Sequence, residues 1–446
     1  MQTIYALSTI LGRSGVAVIR ISGERAKDVL LKFSNKKDFE PRKATFCTLI
    51  SPSTGEVLDT IIAIFFKGPN TFTGDDIVEF HLHGSIAIIK DVLNELGSLD
   101  FVRCAEPGEF TKMAFENGKM DLIGVEALGD LIYSETTVQR RAAIYQISGH
   151  LSNLYSSWKD SMINIMAQFE AYIDFPEDDI PTTAIKLAME IIMKLIQEIE
   201  NHLRISEKAS TIINGIHIAI GGPPNAGKSS IMNLIAKQEI AIVSDIAGTT
   251  RDVLQIQMEI KGLKVTIYDT AGIRDHTSDS IEVEGIKRAK DALDKSDIVI
   301  YVFDALTATQ EEIDTFNIDS SNSVVLINKF DLIGSNTYKS TLLKGNNYIP
   351  FSVKNSYNLN LLLDEISALI EVKFSIDSHA VVTTQQRQKE KLIECIRHLE
   401  SIDLAQPLEI TAQKIRGAVS EIEYITGKIT LDDVLDKIFS TFCIGK

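Results

Sequence analysis

The sequence predicts a multidomain α/β-plus-α chain with an N-terminal α/β domain, a helical domain in two separated segments, and a second α/β domain inserted between those segments. Three observations predict it. Residues 1–117 carry short β-rich apolar runs bounded by glycine and turn residues. Residues 118–212 and 376–446 carry apolar stripes at helical spacing. Residues 213–375 return to strand-and-turn signals and open with a strand, a glycine loop and a helix.

In the first domain, Val16-Ala-Val-Ile-Arg20-Ile21, Thr60–Phe66 and Asp76–Gly84 read as strands, and 85–96 as a helix. Glu79, His81 and His83 then share one strand face, which suits either a metal or an open polar sheet surface. Arg20 and Glu79 lie inside apolar strands, where an unpaired charge is costly. They either pair with each other or point into a polar pocket. From about 118, Leu122, Val125, Leu128 and Ile132 mark one helical stripe, and Ile192, Leu195, Ile199 and Leu203 another. Asp174-Phe-Pro176-Glu-Asp-Asp179-Ile-Pro181 breaks the run between them. Beyond Val382 the pattern resumes with Leu392, Ile396 and Leu399, then Leu408, Ile415, Val419 and Ile422. A last stripe, Val434, Leu435, Ile438, Phe439 and Phe442, should dock the chain end on the helical domain.

Composition bounds the function. The chain has 446 residues, 44% of them hydrophobic and 24% charged, in the range of a globular protein of about three domains. A net charge of −16 argues against a simple basic-patch nucleic-acid binder, while leaving room for a local patch or a partner. Cys47, Cys104, Cys395 and Cys443 show no C-x-x-C spacing, so a zinc site is not expected and a reduced, cytoplasmic setting is. No apolar run reaches membrane-spanning length and no signal-peptide pattern opens the chain, so no membrane partner is expected.

The inserted domain carries five motifs in a fixed order, each at a strand end. The first is Gly222-Pro-Pro-Asn225-Ala226-Gly227-Lys228-Ser229, between the apolar run Ile216–Ile220 and a helical pattern beginning at Ser230. Glycine lets the backbone turn its amides around phosphate oxygens, and the helix N-terminus adds its positive end. Lys228 is placed to reach the β- and γ-phosphates and the Ser229 hydroxyl to hold Mg²⁺. The second, Asp245-Ile246-Ala247-Gly248-Thr249-Thr250, is a polar loop whose threonine, taken as Thr250, can join Mg²⁺ when the γ-phosphate is present. The third, Asp269-Thr270-Ala271-Gly272, offers a carboxylate near Mg²⁺ and an amide for the γ-phosphate. The fourth, Asn328-Lys329-Phe-Asp331, offers a carboxylate that can accept both the ring N–H and the exocyclic amine of guanine. The fifth, Ser352-Val353-Lys354, is placed to contact the base. Together they predict GTP as the ligand.

The order resembles the translation-factor-like GTPases, whose domain has the Ras-like phosphate-loop fold. The remaining motifs narrow the resemblance to the MnmE (TrmE) family. They are Asn225-Ala-Gly-Lys-Ser-Ser230, Asp245–Asp252, Val18-Ile-Arg20-Ile-Ser-Gly23, Pro107-Gly-Glu-Phe-Thr111, Asn117-Gly-Lys119-Met-Asp121-Leu122 and the terminal Phe442-Cys443-Ile-Gly-Lys446. The resemblance covers the whole chain. It implies a homodimer that works with the flavoprotein MnmG on C5 of the wobble uridine of certain tRNAs. It also implies K⁺-dependent GTP hydrolysis, because Ile273 stands where Ras-like enzymes carry a water-orienting glutamine. By the resemblance, Asn225, Ser244, Ile246 (through its carbonyl) and Thr249 hold K⁺, with Ser244 where threonine is expected. Glu282, with Glu284 as the alternative, orders the attacking water. Arg20, Glu79, Lys119 and Lys446 match a pocket for 5-formyl-tetrahydrofolate or a related folate, against the alternative that Arg20 and Glu79 are a structural pair. Cys443 is either a reactive thiol near the folate or a core residue beside Phe439 and Phe442. Two rivals share the motifs, a ribosome-assembly GTPase and a non-enzymatic sensor of GTP state.

Overall fold

The structure is a computed structural model. It describes residues 2–174, 182–238, 255–260, 262–269, 296–316, 318–319, 321–333, 348–374, 381–403, 405–429 and 432–445. The chain divides into two compact units. One holds residues 1–132, 144–193 and 390–446; the other holds 133–143 and 194–389.

In the first unit the β-rich runs form strands β1 (Thr3–Leu7), β2 (Ser14–Ser22), β3 (Thr45–Ile50), β4 (Val57–Phe66), β5 (Ile77–Gly84) and β6 (Val102–Cys104). They make one sheet in the order β3-β4-β5-β2-β1-β6, antiparallel except where β1 meets β6. Strand alternation divides the side chains between two faces. Ile19, Ile21, Phe80 and Leu82 meet Val29, Leu30 and Phe33 of α1 (Ala26–Phe33) and Val92 and Leu96 of α2 (Ile86–Gly97). Phe80 is fully buried there, so truncating it to alanine would cost about 3–5 kcal/mol. The opposite face carries Ile4 and Ala6, capped by Phe72 and by Phe110 and Met113 of α3 (Glu109–Glu116). Register puts Arg20 of β2 between Ala6 of β1 and Glu79 of β5.

The helical stripes fold as α4 (Leu122–Ile132), α5 (Thr137–Ile147), α6 (His150–Asp174) and α7 (Thr182–Asn214), and later as α11 (Gln386–Glu400), α12 (Leu408–Thr426) and α13 (Asp432–Ser440). Helix α6 buries Tyr155, Trp158, Met162, Ile165 and Phe169 and packs along α12, which buries Ile415, Ala418 and Ile422. The last stripe docks as expected, with Leu435, Phe439 and Phe442 clustered against Leu122 and Val125 of α4.

The second unit holds a parallel sheet with one antiparallel edge strand. Its strands are β7 (Ile216–Gly221), β8 (Gln255–Ile260), β9 (Leu263–Asp269), β10 (Ile298–Asp304), β11 (Ser323–Asn328) and β12 (Tyr348–Pro350), in the order β12-β11-β10-β7-β9-β8. Near-continuous apolar runs are what a sheet covered on both faces requires. One face meets Ile231 and Ile235 of α8 (Lys228–Gln238) and Leu362 and Ile366 of α10 (Leu359–Phe374). The other meets Ile313 of α9 (Gln310–Asp314) and Phe316. The order reverses between β7 and β10, and in such sheets ligands bind beyond the strand carboxyl ends at that point. The expected α/β-plus-α class is observed.

Candidate functional site

The loop after β7 leaves the sheet at the reversal point. Gly222 has φ +132°, and a Cβ there would lie 2.1 Å from the Val302 carbonyl oxygen of β10. Asn225 follows at φ +63°. Gly227 has φ +98°, and its Cβ would fall 2.3 Å from Asn328 Nδ2, so only glycine fits. Ala226 is buried, and Ser229 and Ser230 are exposed on the first turn of α8. Lys228 is buried, its Nζ donating to the carbonyls of Gly222 (2.9 Å) and Pro223 (2.8 Å). The ammonium thus lies over its own loop, at the place where phosphate oxygens would compete for it. Ser229 Oγ donates to the carboxylate of the fully buried Asp269. A hydroxyl and a carboxylate brought together form the hard oxygen donor set that Mg²⁺ prefers.

The loop after β11 closes onto this one. Asn328 is buried, its Nδ2 donating to the Ala226 carbonyl (2.8 Å) and its Oδ1 accepting from the Val353 amide (3.4 Å). Lys329 adopts φ +62°, and its Nζ donates to the Asn225 carbonyl (3.0 Å) and to Asp304 Oδ2 (2.6 Å). Asp331 Oδ1 accepts from Ser352 Oγ (2.6 Å), and Ser352 is 1% exposed while Lys354 is exposed. One carboxylate oxygen is thereby fixed, which sets the plane in which the pair can accept two parallel N–H donors. The structure brings together Asn225, Ala226, Gly227, Lys228, Ser229, Asp269, Asn328, Lys329, Asp331, Ser352 and Val353. Sequence reasoning missed Asp304, which ends β10 in Val302-Phe-Asp304-Ala. A carboxylate closing an apolar strand was its only signal. Ser244 through Thr250, Thr270 through Gly272, Ile273, Glu282 and Glu284 lie outside the described residues.

In the first unit Arg20 and Glu79 are paired, with Nε at 3.0 Å and Nη2 at 2.9 Å from Oε1. Their side chains remain 23% and 17% exposed, and the guanidinium lies 5.9 Å from the ring centroids of both Phe72 and Phe110. His81 Nε2 stands 3.4 Å from Glu79 Oε2, whereas His83 turns to Asp59 at 2.8 Å. Among the described residues no group of three or more His, Cys, Asp or Glu side chains is arranged to hold a metal. Lys119 is exposed, and a Cβ on Gly74 would lie 3.2 Å from its Cε. Lys446 lies outside the described residues, but Gly445 is fixed. Ile444 makes a β-bridge with Pro107, and Ser8 Oγ donates to the Gly445 carbonyl (3.2 Å). That contact lies just past Leu7, the neighbour of Ala6, which pairs with Arg20. Cys443 is exposed while Phe439 and Phe442 are buried, which removes the core alternative for it.

Comparison with known proteins gives concordant results. Residues 3–119 match the family model described as GTP-binding protein TrmE N-terminus, and residues 122–443 match that of the MnmE helical domain. The curated tRNA modification GTPase MnmE of Rickettsia akari (strain Hartford) is 41% identical over 448 residues, covering 100% of both chains. The protein of the same name from Rickettsia typhi (strain ATCC VR-144 / Wilmington) is 40% identical over 450 residues, again covering 100% of both chains. That of Orientia tsutsugamushi (strain Boryong) is 40% identical over 447 residues, covering 100% of this chain and 99% of its own.

Proposed function

Because this chain belongs to the MnmE (TrmE) family of tRNA modification GTPases, we propose that it hydrolyses GTP in the course of modifying tRNA. The observation that carries the reading is the Asn328-to-Ala226 bond, which holds the base-reading loop against the phosphate loop. One nucleotide can then span Asp331 at its base and Lys228 at its phosphates. Lys228 exchanges two loop carbonyls for phosphate oxygens, and Asp331 accepts the two guanine donors. Ser229 and Thr250 would hold Mg²⁺, with Asp269 bonded to the Ser229 hydroxyl behind them, and the ion would neutralise charge on the β- and γ-phosphates.

The finer reading rests on the family resemblance together with these contacts. Hydrolysis depends on K⁺ held by Asn225, Ser244, Ile246 and Thr249, since Ile273 has no group with which to orient water. Glu282 orders that water. The chain works in the cytoplasm as a homodimer with MnmG, at C5 of the wobble uridine, with a formyl-tetrahydrofolate as one-carbon donor. For the folate, the Arg20–Glu79 pair offers a donor and an acceptor edge beside the aromatic rings of Phe72 and Phe110, which suits a flat heteroaromatic ring. Lys119 and Lys446 supply charge for its glutamate tail. The domains run 1–117, 118–212 with 376–446, and 213–375.

Two measurements test this. GTP hydrolysis at saturating GTP should fall at least tenfold when Na⁺ replaces K⁺, a barrier change of about 1.4 kcal/mol; equal rates would remove the cation from the mechanism. Mass spectrometry of wobble uridines, after incubating tRNA with this protein, an MnmG partner, GTP and folate, should reveal a new C5 substituent. Unmodified uridines would sink the tRNA reading.

A further inference from the structure

Asp304 ends β10 with its carboxylate aimed at the base loop, and nothing in the nucleotide motifs accounts for it. Oδ2 accepts from Lys329 Nζ at 2.6 Å, while Oδ1 accepts from the Leu306 amide at 2.9 Å. Its backbone carbonyl is also engaged, accepting from the Ala308 amide at 2.9 Å and the Thr307 amide at 3.3 Å. The carboxylate is therefore oriented before any ligand arrives, and its side chain is only 13% exposed. Lys329 uses the same ammonium to hold the Asn225 carbonyl of the phosphate loop at 3.0 Å. Its methylene stem consequently spans from the base loop to the phosphate loop.

We propose that Asp304 is a positioning residue for guanine-nucleotide retention, acting through Lys329 to clamp the phosphate loop at Asn225. The proposal rests on the reading of this site as a guanine-nucleotide site. The physical argument concerns the acceptors around one ammonium. With Asp304 present, two charge-compatible acceptors fix Nζ over the Asn225 carbonyl. Without it, the half-exposed ammonium turns to water and the left-handed turn at Asn225 loses its donor. The phosphate loop then samples open forms, and bound nucleotide leaves faster. Asparagine at 304 is the stringent substitution, because it keeps the size and the Leu306 bond but turns an N–H₂ donor toward the lysine. Because the lysine is partly exposed, the effect is set at about tenfold rather than the larger loss expected of a buried pair.

The experiment uses the full-length protein and the dissociation rate of a fluorescent GDP chased by excess unlabelled GDP. Asp304→Asn should release GDP about tenfold faster than the native protein. The thermal unfolding midpoint should be unchanged. Lys329→Met should speed release at least as much, and the double variant should be no faster than Lys329→Met alone, since both substitutions cut the same link. Asp304→Ser, which keeps an acceptor for Leu306, replaces Asp304→Asn should the latter fail to fold. Native release rates in these Asp304 variants, or effects that multiply in the double variant, would overturn the proposal while leaving the nucleotide site intact. A native protein that binds no guanine nucleotide would overturn both.

Discussion

At Asp331 the chemistry of recognition comes down to which atoms accept. One oxygen is already pinned by Ser352, so the carboxylate can face a base in only one plane. Guanine offers two donors there, while xanthine offers an oxygen at C2. Asp331→Asn should therefore shift preference from GTP toward XTP, by an order of magnitude or more, in a competition assay; an unchanged ratio would mean that this residue does not face the base. Cysteine reactivity is a second residue-scale expectation. Burial, with the nearby Glu421 charge adding to it, pushes the Cys395 thiol up to about 12, and burial also raises Cys47. Cys104 and Cys443 are exposed. A thiol titration of the native protein at mildly alkaline pH should count these two, and all four only after unfolding. More than two reacting at once in the native protein would contradict the burial pattern. The phosphate-loop segment and the Asn328–Asp331 and Ser352–Val353 segments, which the fold brings together, were legible at this scale because each is a short run of residue types that one chemistry requires. Asp304 was not, because it meets Lys329, and through Lys329 the Asn225 carbonyl, only by way of the sheet order.

The element whose role is most exposed to test is the chain end. Its amphipathic stripe was readable from a 3.6-residue period, and α13 does bury Leu435 and Phe439, with Phe442 just beyond. Gly108 and Gly129 make the docking close: a Cβ on Gly108 would lie 2.6 Å from the Phe439 carbonyl oxygen, and one on Gly129 3.3 Å from Phe442 Cζ. Where the last residues go could not be read from the period, because Phe442–Gly445 are held by a bridge and a hydroxyl far away in sequence. Gly445 has φ +95°, and a Cβ there would lie 2.4 Å from the Leu7 carbonyl oxygen. Gly445→Ala should thus displace the tail, at a cost of at least about 1 kcal/mol from the left-handed backbone alone. If the tail delivers Lys446 to the folate, this variant should bind formyl-tetrahydrofolate about tenfold more weakly by calorimetry, with GTP hydrolysis unaffected. Undiminished folate affinity would show that the tail has another purpose.

For the whole molecule, the alternation of β-rich, helical and again β-rich stretches was legible because each stretch repeats its own period over many residues. What holds the two passages of chain at 202–210 and 382–389 together within the second unit was not legible. His202 Nε2 stands 2.7 Å from Thr383 Oγ1, the Thr383 amide donates to Ser206 Oγ (2.9 Å), and Lys389 Nζ donates to Ser210 Oγ (2.6 Å). Partners some 180 residues apart leave no local pattern, and each is an ordinary polar residue on a helix or loop. This clasp gives the fold a defined pH response. His202 is buried, and burial lowers its pKa from 6.5 to about 4, so it is neutral in the native protein at neutral pH. Above pH 6.5 neither the closed nor the opened state protonates it, and its packing contributes in full. As pH falls from 6.5 toward 4 the opened state takes up the proton first, so stability is lost across that window, by roughly 3 kcal/mol in total. Hydrogen exchange reads this directly. After correction for intrinsic rates, protection of the 381–385 amides should fall by about two orders of magnitude between pH 7 and 4. His202→Gln cannot protonate and should flatten that dependence, even if losing the Thr383 contact lowers protection at every pH by a constant factor. Parallel pH profiles for the native protein and His202→Gln would mean that other titrating groups open the clasp.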